Sequence, residues 1–67
     1  MSEKPIAEMS FEEAMGALEA VVTQLERGEV ALEASISLYE RGAALKARCA
    51  ALLADAEAKV ELIRAQE

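Results

Sequence analysis

Carboxylates are the commonest reactive side chains in this sequence, and two spacings among them invite an acid–base reading: the adjacent Glu12 and Glu13, and Glu57 with Glu61 one helical turn on. Adjacent residues of a helix point in different directions, however, and an i,i+4 pair outside a cleft is a solvated face. Histidine is absent and Cys49 is the single cysteine. That removes the usual zinc ligand sets, His-dependent bases and relays, and any intrachain disulfide. No catalytic, cofactor-binding or metal-binding residue is expected in this chain.

Three further side chains merit a test against the bland alternative. Ser35 lies in Ala34-Ser35-Ile36, whereas the small acidic acyl carriers place their modified serine in an Asp-Ser-Leu motif at a helix start. Here an alanine replaces the aspartate and the serine lies several residues into a helix, so the carrier reading falls. Cys49 shares an apolar stripe with Leu45 and Leu52 and has nothing nearby in sequence to activate it, so a small packed residue is the better account. Tyr39, a lone tyrosine among aliphatics, needs packing for its ring and a partner for its hydroxyl, and suits the hairpin or an interface equally.

The elements that must position these residues are helices. Residues 1–9 contain Pro5 without sustained periodicity and are expected to form a flexible arm. Ser10 with Glu13 then makes S-x-x-E, a capping box, and Glu12 and Glu13 add negative charge where the helix dipole favours it. Behind the cap Phe11, Met15, Leu18, Val22 and Leu25 repeat at four and three, a heptad seam that Ala14 and Val21 widen. Glu12, Glu19 and Glu26 recur every seven on the opposite side. Gly16 is a local cost of about 1 kcal/mol against alanine.

Arg27 followed by Gly28 is a helix ending, a cation in the last turn and then a residue free to turn left-handed. The sequence therefore predicts helix one at about 11–27, a turn at 28–31 and helix two at about 32–65, with Ala31 a poor cap for the second. A link this short makes an antiparallel helical hairpin. No proline interrupts the second helix, which at 1.5 Å per residue runs about 50 Å. Gly42 is the place for a close helix contact or a slight kink.

Helix one reaches only to about residue 48 of its partner. The seam Phe11, Met15, Leu18, Val22 and Leu25 is expected to pack the hairpin against Leu32, Ile36, Tyr39 and Leu45. Beyond it Cys49, Leu52, Leu53, Ala56, Val60 and Ile63 continue an apolar face that needs another chain. Helix two in fact carries two stripes, one through Leu32, Ile36, Tyr39, Ala43, Ala50, Leu53 and Val60, the other through Leu38, Leu45, Cys49, Leu52, Ala56 and Ile63. A surface so wide can face the hairpin partner and a second helix together. With only 67 residues the core is too small to stand easily alone. The expected class is all-α, a hairpin with a short first and a long second helix, assembling into an oligomeric helical bundle.

Charge and composition exclude other classes. The whole net charge of -6 falls on residues 1–33, where Lys4 and Arg27 stand against Glu3, Glu8, Glu12, Glu13, Glu19, Glu26, Glu29 and Glu33. Binding to phosphates depends on cations that displace counterions, so direct contact with nucleic acid is not expected. Arg41, Lys46 and Arg48 form a small basic group, best read as solvated or paired with neighbouring glutamates. Apolar residues make up 54% but aromatics only 3%, which is helix composition and unlike a base-stacking surface. No apolar run approaches a membrane span, and the first residues lack a signal-peptide pattern, so a cytoplasmic protein with no membrane contact is expected.

The order of these residues resembles a known family. Phe11-Glu12-Glu13-Ala14, Leu18-Glu19, Val22, Leu25-Glu26-Arg27-Gly28-Glu29, Leu32-Glu33, Ser35-Ile36, Leu38-Tyr39-Glu40-Arg41-Gly42, Leu45, Cys49 and Ala56-Glu57 are similar to the small subunit of bacterial exonuclease VII. The resemblance runs from Met9 to Val60. Its most specific pieces are the Leu-Glu-x-Gly-Glu turn followed by Leu-Glu, and the Leu-Tyr-Glu-x-Gly segment. Ala31 departs from it, standing where a hydroxyl residue or proline often precedes the leucine.

The resemblance implies a non-catalytic subunit of an exonuclease that degrades single-stranded DNA from either end to oligonucleotides and 5′-phosphate products, without a strict metal requirement. It also implies that the catalytic residues and the DNA-gripping OB-fold belong to a large subunit, whose long helices several small subunits surround. The partners implied are the exonuclease VII large subunit and other copies of this chain, with single-stranded DNA reached only through the holoenzyme. Leu52, Leu53, Val60 and Ile63 would be buried in those contacts. The rival readings are a self-associating helical scaffold or adaptor unrelated to DNA degradation, and a small nucleic-acid-binding hairpin.

Overall fold

The computed structural model describes residues 4–66. A 3-10 turn at Ile6–Glu8 precedes helix α1, Phe11–Arg27, and helix α2, Leu32–Ala65; the two helices pack antiparallel, with no strand among the described residues. The parts of the N-terminal arm at residues 1–3 and of the hairpin at residue 67 lie outside the described residues.

Local chemistry sets the helix ends. The Glu13 N–H donates to Ser10 Oγ at 3.1 Å and the Ser10 N–H donates to Glu13 Oε1 at 2.8 Å, which closes the capping box. At the other end of α1, Gly28 takes φ 67° and ψ 20°, and its N–H donates to the Leu25 carbonyl at 3.2 Å. That left-handed conformation costs a glycine nothing and strains any residue with a Cβ. Helix α2 starts from Ala31 without a side-chain cap. The first intrahelical bond, Ser35 N–H to the Ala31 carbonyl at 2.9 Å, is in place.

With 34 residues against 17, α2 is twice as long as α1. It sets the long dimension of the molecule, 54 × 24 × 14 Å, and the radius of gyration of 15.4 Å exceeds the value for a compact chain of this size, about 11 Å. The buried core is correspondingly small: Met9, Ala14, Val21, Leu45 and Cys49, with Leu45 and Ala14 wholly enclosed. Ile6, Met15, Ala17, Leu18, Leu25 and Leu38 pack around it, partly exposed.

Gly42 explains why the helices meet where they do. A Cβ there would lie 3.3 Å from Val21 Cγ1 and 3.8 Å from Leu18 Cδ1, so the glycine lets α1 seat directly on the α2 backbone. Ala14 is wholly enclosed in the same buried cluster as Leu45 and Cys49. The contact face of α1 is therefore Ala14, Leu18, Val21 and Leu25, rotated from the expected seam. Phe11 and Val22 lie at its exposed edge, while Met15 is half-buried.

The matching correction applies to α2. Leu38, Gly42, Leu45 and Cys49 face α1, while Leu32, Ile36 and Tyr39, assigned above to hairpin packing, are 77%, 53% and 71% exposed. Small residues decide between the stripes: a contact through Phe11 and Tyr39 would hold the backbones apart and leave voids that alanine and glycine avoid. Cys49, assigned above to a partner interface, is buried in its own hairpin as a free thiol.

The N-terminal arm also differs from expectation. Ile6–Glu8 form a 3-10 turn, closed by Glu8 N–H to the Pro5 carbonyl at 2.9 Å and Met9 N–H to the Ile6 carbonyl at 3.1 Å. Three residues per turn bring Ile6 and Met9 to one side. Met9 is buried beside Cys49, and Arg48 Nε donates to the Met9 carbonyl at 3.0 Å. The segment caps the end of the core where α1 begins.

A chain this small draws only about 3–5 kcal/mol from its core. Leu45→Ala, which costs about 2–5 kcal/mol at an enclosed site, should abolish or nearly abolish the cooperative melt followed by far-UV circular dichroism. Leu32→Ala, at an exposed site, should leave it within about 0.5 kcal/mol.

Candidate functional site

The site is built by what α1 fails to cover. One turn of α2 holds 3.6 residues, so the face toward α1 (Leu38, Leu45, Cys49) continues along the same side through Leu52, Ala56 and Ile63. Leu52 is half-buried at the end of the hairpin, and Ala56 and Ile63 lie open beyond it. The second stripe, a quarter turn round the helix, carries Leu53 and Val60, 51% and 47% exposed. Leu62 is also exposed, on the opposite side of the helix from Leu53 and Val60.

Two shallow apolar grooves follow from this arrangement. One runs between the helices and is lined by Leu18, Val21, Val22, Leu25, Tyr39, Gly42, Ala43 and Lys46. The other lies on the overhanging part of α2, lined by Leu53, Ala56, Glu57, Val60, Glu61 and Arg64. Of the residues expected at a partner interface, the structure therefore brings Leu53, Ala56 and Val60 to one open groove. Ile63 lies beside it, Leu52 at its border, and Cys49 away from it.

The candidate chemical groups are spent on structure or dispersed. Glu13 is held by the helix cap and by Lys4 Nζ, which donates to both carboxylate oxygens at 3.0 Å. Its pKa is lowered, first by the hydrogen bond from the Ser10 backbone and then by Lys4. Glu57 and Glu61 are both exposed and line only the shallow groove of the overhang. Lys59 pairs with Asp55 at 3.3 Å. Among the described residues no group of three or more His, Cys, Asp or Glu side chains gathers closely enough to hold a metal ion. No described helix is long and apolar enough to cross a membrane.

Met9 was missed by sequence reasoning, although a signal for it existed. It directly precedes the capping serine, and Ala14 stands four positions after that serine. Those are the two places of a hydrophobic staple. Both are buried in one cluster.

Comparison with known proteins decides the lineage. Residues 11–62, most of the chain and nearly all of both helices, match the family model described as exonuclease VII small subunit. The chain belongs to the exonuclease VII small subunit family. It is 68% identical over 62 residues to the exodeoxyribonuclease 7 small subunit of Ruegeria sp. (strain TM1040), covering 92% of this chain and 76% of that protein. The corresponding protein of Brucella melitensis biotype 1 is 59% identical over 63 residues, covering 94% and 76%. That of Bartonella henselae is 56% identical over 62 residues, covering 92% and 74%. No solved structure matches.

The exonuclease VII small subunit match extends to Leu62 and so takes in Leu53, Ala56 and Val60. The overhang of α2 is thus part of what the family shares, as is the hairpin. The docked turn at Ile6–Glu8 falls outside the match.

The cap makes folding pH-dependent with a definite sign. A carboxylate whose pKa is lower in the folded than in the unfolded chain stabilises fully above the unfolded value and loses that contribution as pH falls through the folded one. Acid titration by far-UV circular dichroism should show helicity falling across the window from the ordinary glutamate pKa down to the lowered pKa of Glu13. Glu13→Gln should remove that component.

Proposed function

We propose that the chain is a non-catalytic assembly subunit: it binds the exonuclease VII large subunit through the open inner face of α2, at Leu52, Ala56 and Ile63. The observation that carries this reading is an apolar helix face, continuous with the hairpin core, from which α1 is missing. Burial of such a face against a helix of the larger protein replaces the contacts α1 cannot supply. Among the described residues no cluster of metal-ligating side chains is assembled, and on this reading the hydrolytic chemistry belongs to the large subunit.

On this reading the large subunit degrades single-stranded DNA to oligonucleotides and 5′-phosphate products in the cytoplasm, and DNA meets this chain only in the holoenzyme. Small subunits that bind the assembled form raise its stability by mass action and hold its helices in place. The acidic surface of α1 repels the phosphate backbone and keeps the strand off the scaffold. Membership of the exonuclease VII small subunit family disfavours a scaffold unrelated to DNA.

Co-expression with the large subunit tests the proposal. Replacing Ala56 and Ile63 together by glutamate places charges in the interface, and co-purification should fall more than tenfold, a change equivalent to at least about 1.4 kcal/mol. Exonuclease activity on single-stranded DNA, assayed with EDTA present, should fall with it, whereas Leu32→Glu should change neither. Undiminished co-purification of the double variant would overturn the reading.

A further inference from the structure

The stripe of α2 that faces neither α1 nor the open inner face has a charge pattern of its own. Counting from Leu53 toward the N-terminus in steps of three and four gives Ala50, Lys46, Ala43 and Tyr39. Toward the C-terminus the same count gives Glu57, Val60 and Arg64. This is a heptad seam about a quarter turn from the face that holds α1. Tyr39, Leu53 and Val60 on it are exposed.

Lys46 and Glu57 interrupt the seam with opposite charges, 11 residues apart. Among the described residues neither forms an ion pair within its own chain. Glu57 instead has Glu61 one turn away, a like charge that a cation from outside would relieve. Lys46 lines the groove between the helices and Glu57 the groove on the overhang. The two grooves are complementary in charge as well as apolar.

We propose that this seam pairs antiparallel with the same seam of a second copy, about a two-fold axis between Ala51 and Leu52, so that Lys46 of each copy meets Glu57 of the other. In that register Ala50 faces Leu53, Ala43 faces Val60, and the Tyr39 ring faces the Arg64 guanidinium. Small residues then oppose large ones, and the last layer is a cation–π contact. A two-fold interface uses the same surface twice, so each overhang fills the groove of the other hairpin.

Competing arrangements are penalised by the same two residues. A parallel pair in register sets Lys46 against Lys46 and Glu57 against Glu57. Sliding the antiparallel pair by one heptad leaves Lys46 facing Arg64 in one direction, or Lys46 facing Ala50 and Glu57 facing Tyr39 in the other. Polar seam positions specify register in this way. The two-fold axis stands perpendicular to the plane of the paired α2 helices, so Leu52 and Ile63 of both copies stay open, with Ala56 at the rim of the overhang's groove. This pairing therefore stands independently of the large-subunit reading.

The test uses the full chain alone, without the large subunit. Sedimentation equilibrium should show a dimer, weakened more than tenfold by Lys46→Glu or by Glu57→Lys and restored by the two together. Zero-length carbodiimide coupling should join Lys46 to Glu57 between copies, since along one helix they are about 16 Å apart. A chain that stays monomeric, single replacements without effect, or a double replacement that fails to recover would each overturn the proposal.

Discussion

Everything distinctive about this molecule follows from packing a 17-residue helix on a 34-residue one. A hairpin of equal helices can bury one face of each and be done. Here the part of α2 beyond Leu52 is exposed throughout the described residues, yet its sequence remains as apolar as the covered part. Burial of apolar surface is the dominant favourable term in folding, and five enclosed residues supply little of it. The fold is a small anchored core with a long adhesive extension, a shape suited to membership in a larger assembly.

That small core is made efficient by its smallest residues. Gly42 lets the helices approach closely, and Ala14, Val21 and Leu45 are buried in the contact between them. The docked turn before α1 closes the end with Met9, tied down by the Arg48 side chain. A buried methionine and a hydrogen bond from a charged donor are modest contributions singly. In a structure this size each is a large share of the total.

Function divides along the same lines. Helix α1 carries the acidic surface and the caps, and its inner side is occupied by the hairpin contact. Helix α2 carries two uncovered faces a quarter turn apart, one continuous with the core and one bearing the Lys46 and Glu57 interruption. Two separate faces can serve two different partners without competition. The chain belongs to the exonuclease VII small subunit family, and on the proposed reading it contributes adhesion and register to a nuclease whose chemistry lies in the large subunit.

Much of this was legible in the sequence, because the signals are local. The capping box at Ser10 and Glu13, the left-handed Gly28 and the unbroken run after Ala31 act within a few residues of where they stand. The absence of histidine, the solitary cysteine and the order of the Leu-Glu-x-Gly-Glu and Leu-Tyr-Glu-x-Gly segments are likewise properties of the chain itself. What only the tertiary structure decided is which of two stripes faces inward. Periodicity marks both with similar apolar content, and Tyr39 and Ile36 look as fit for the hairpin as Leu38 and Leu45. The choice depends on how closely two backbones can approach, which joins Gly42 to Val21 across 21 residues of sequence. For the same reason Cys49 turned inward and Met9 left the arm for the core: each fills a space that exists only once the helices have met.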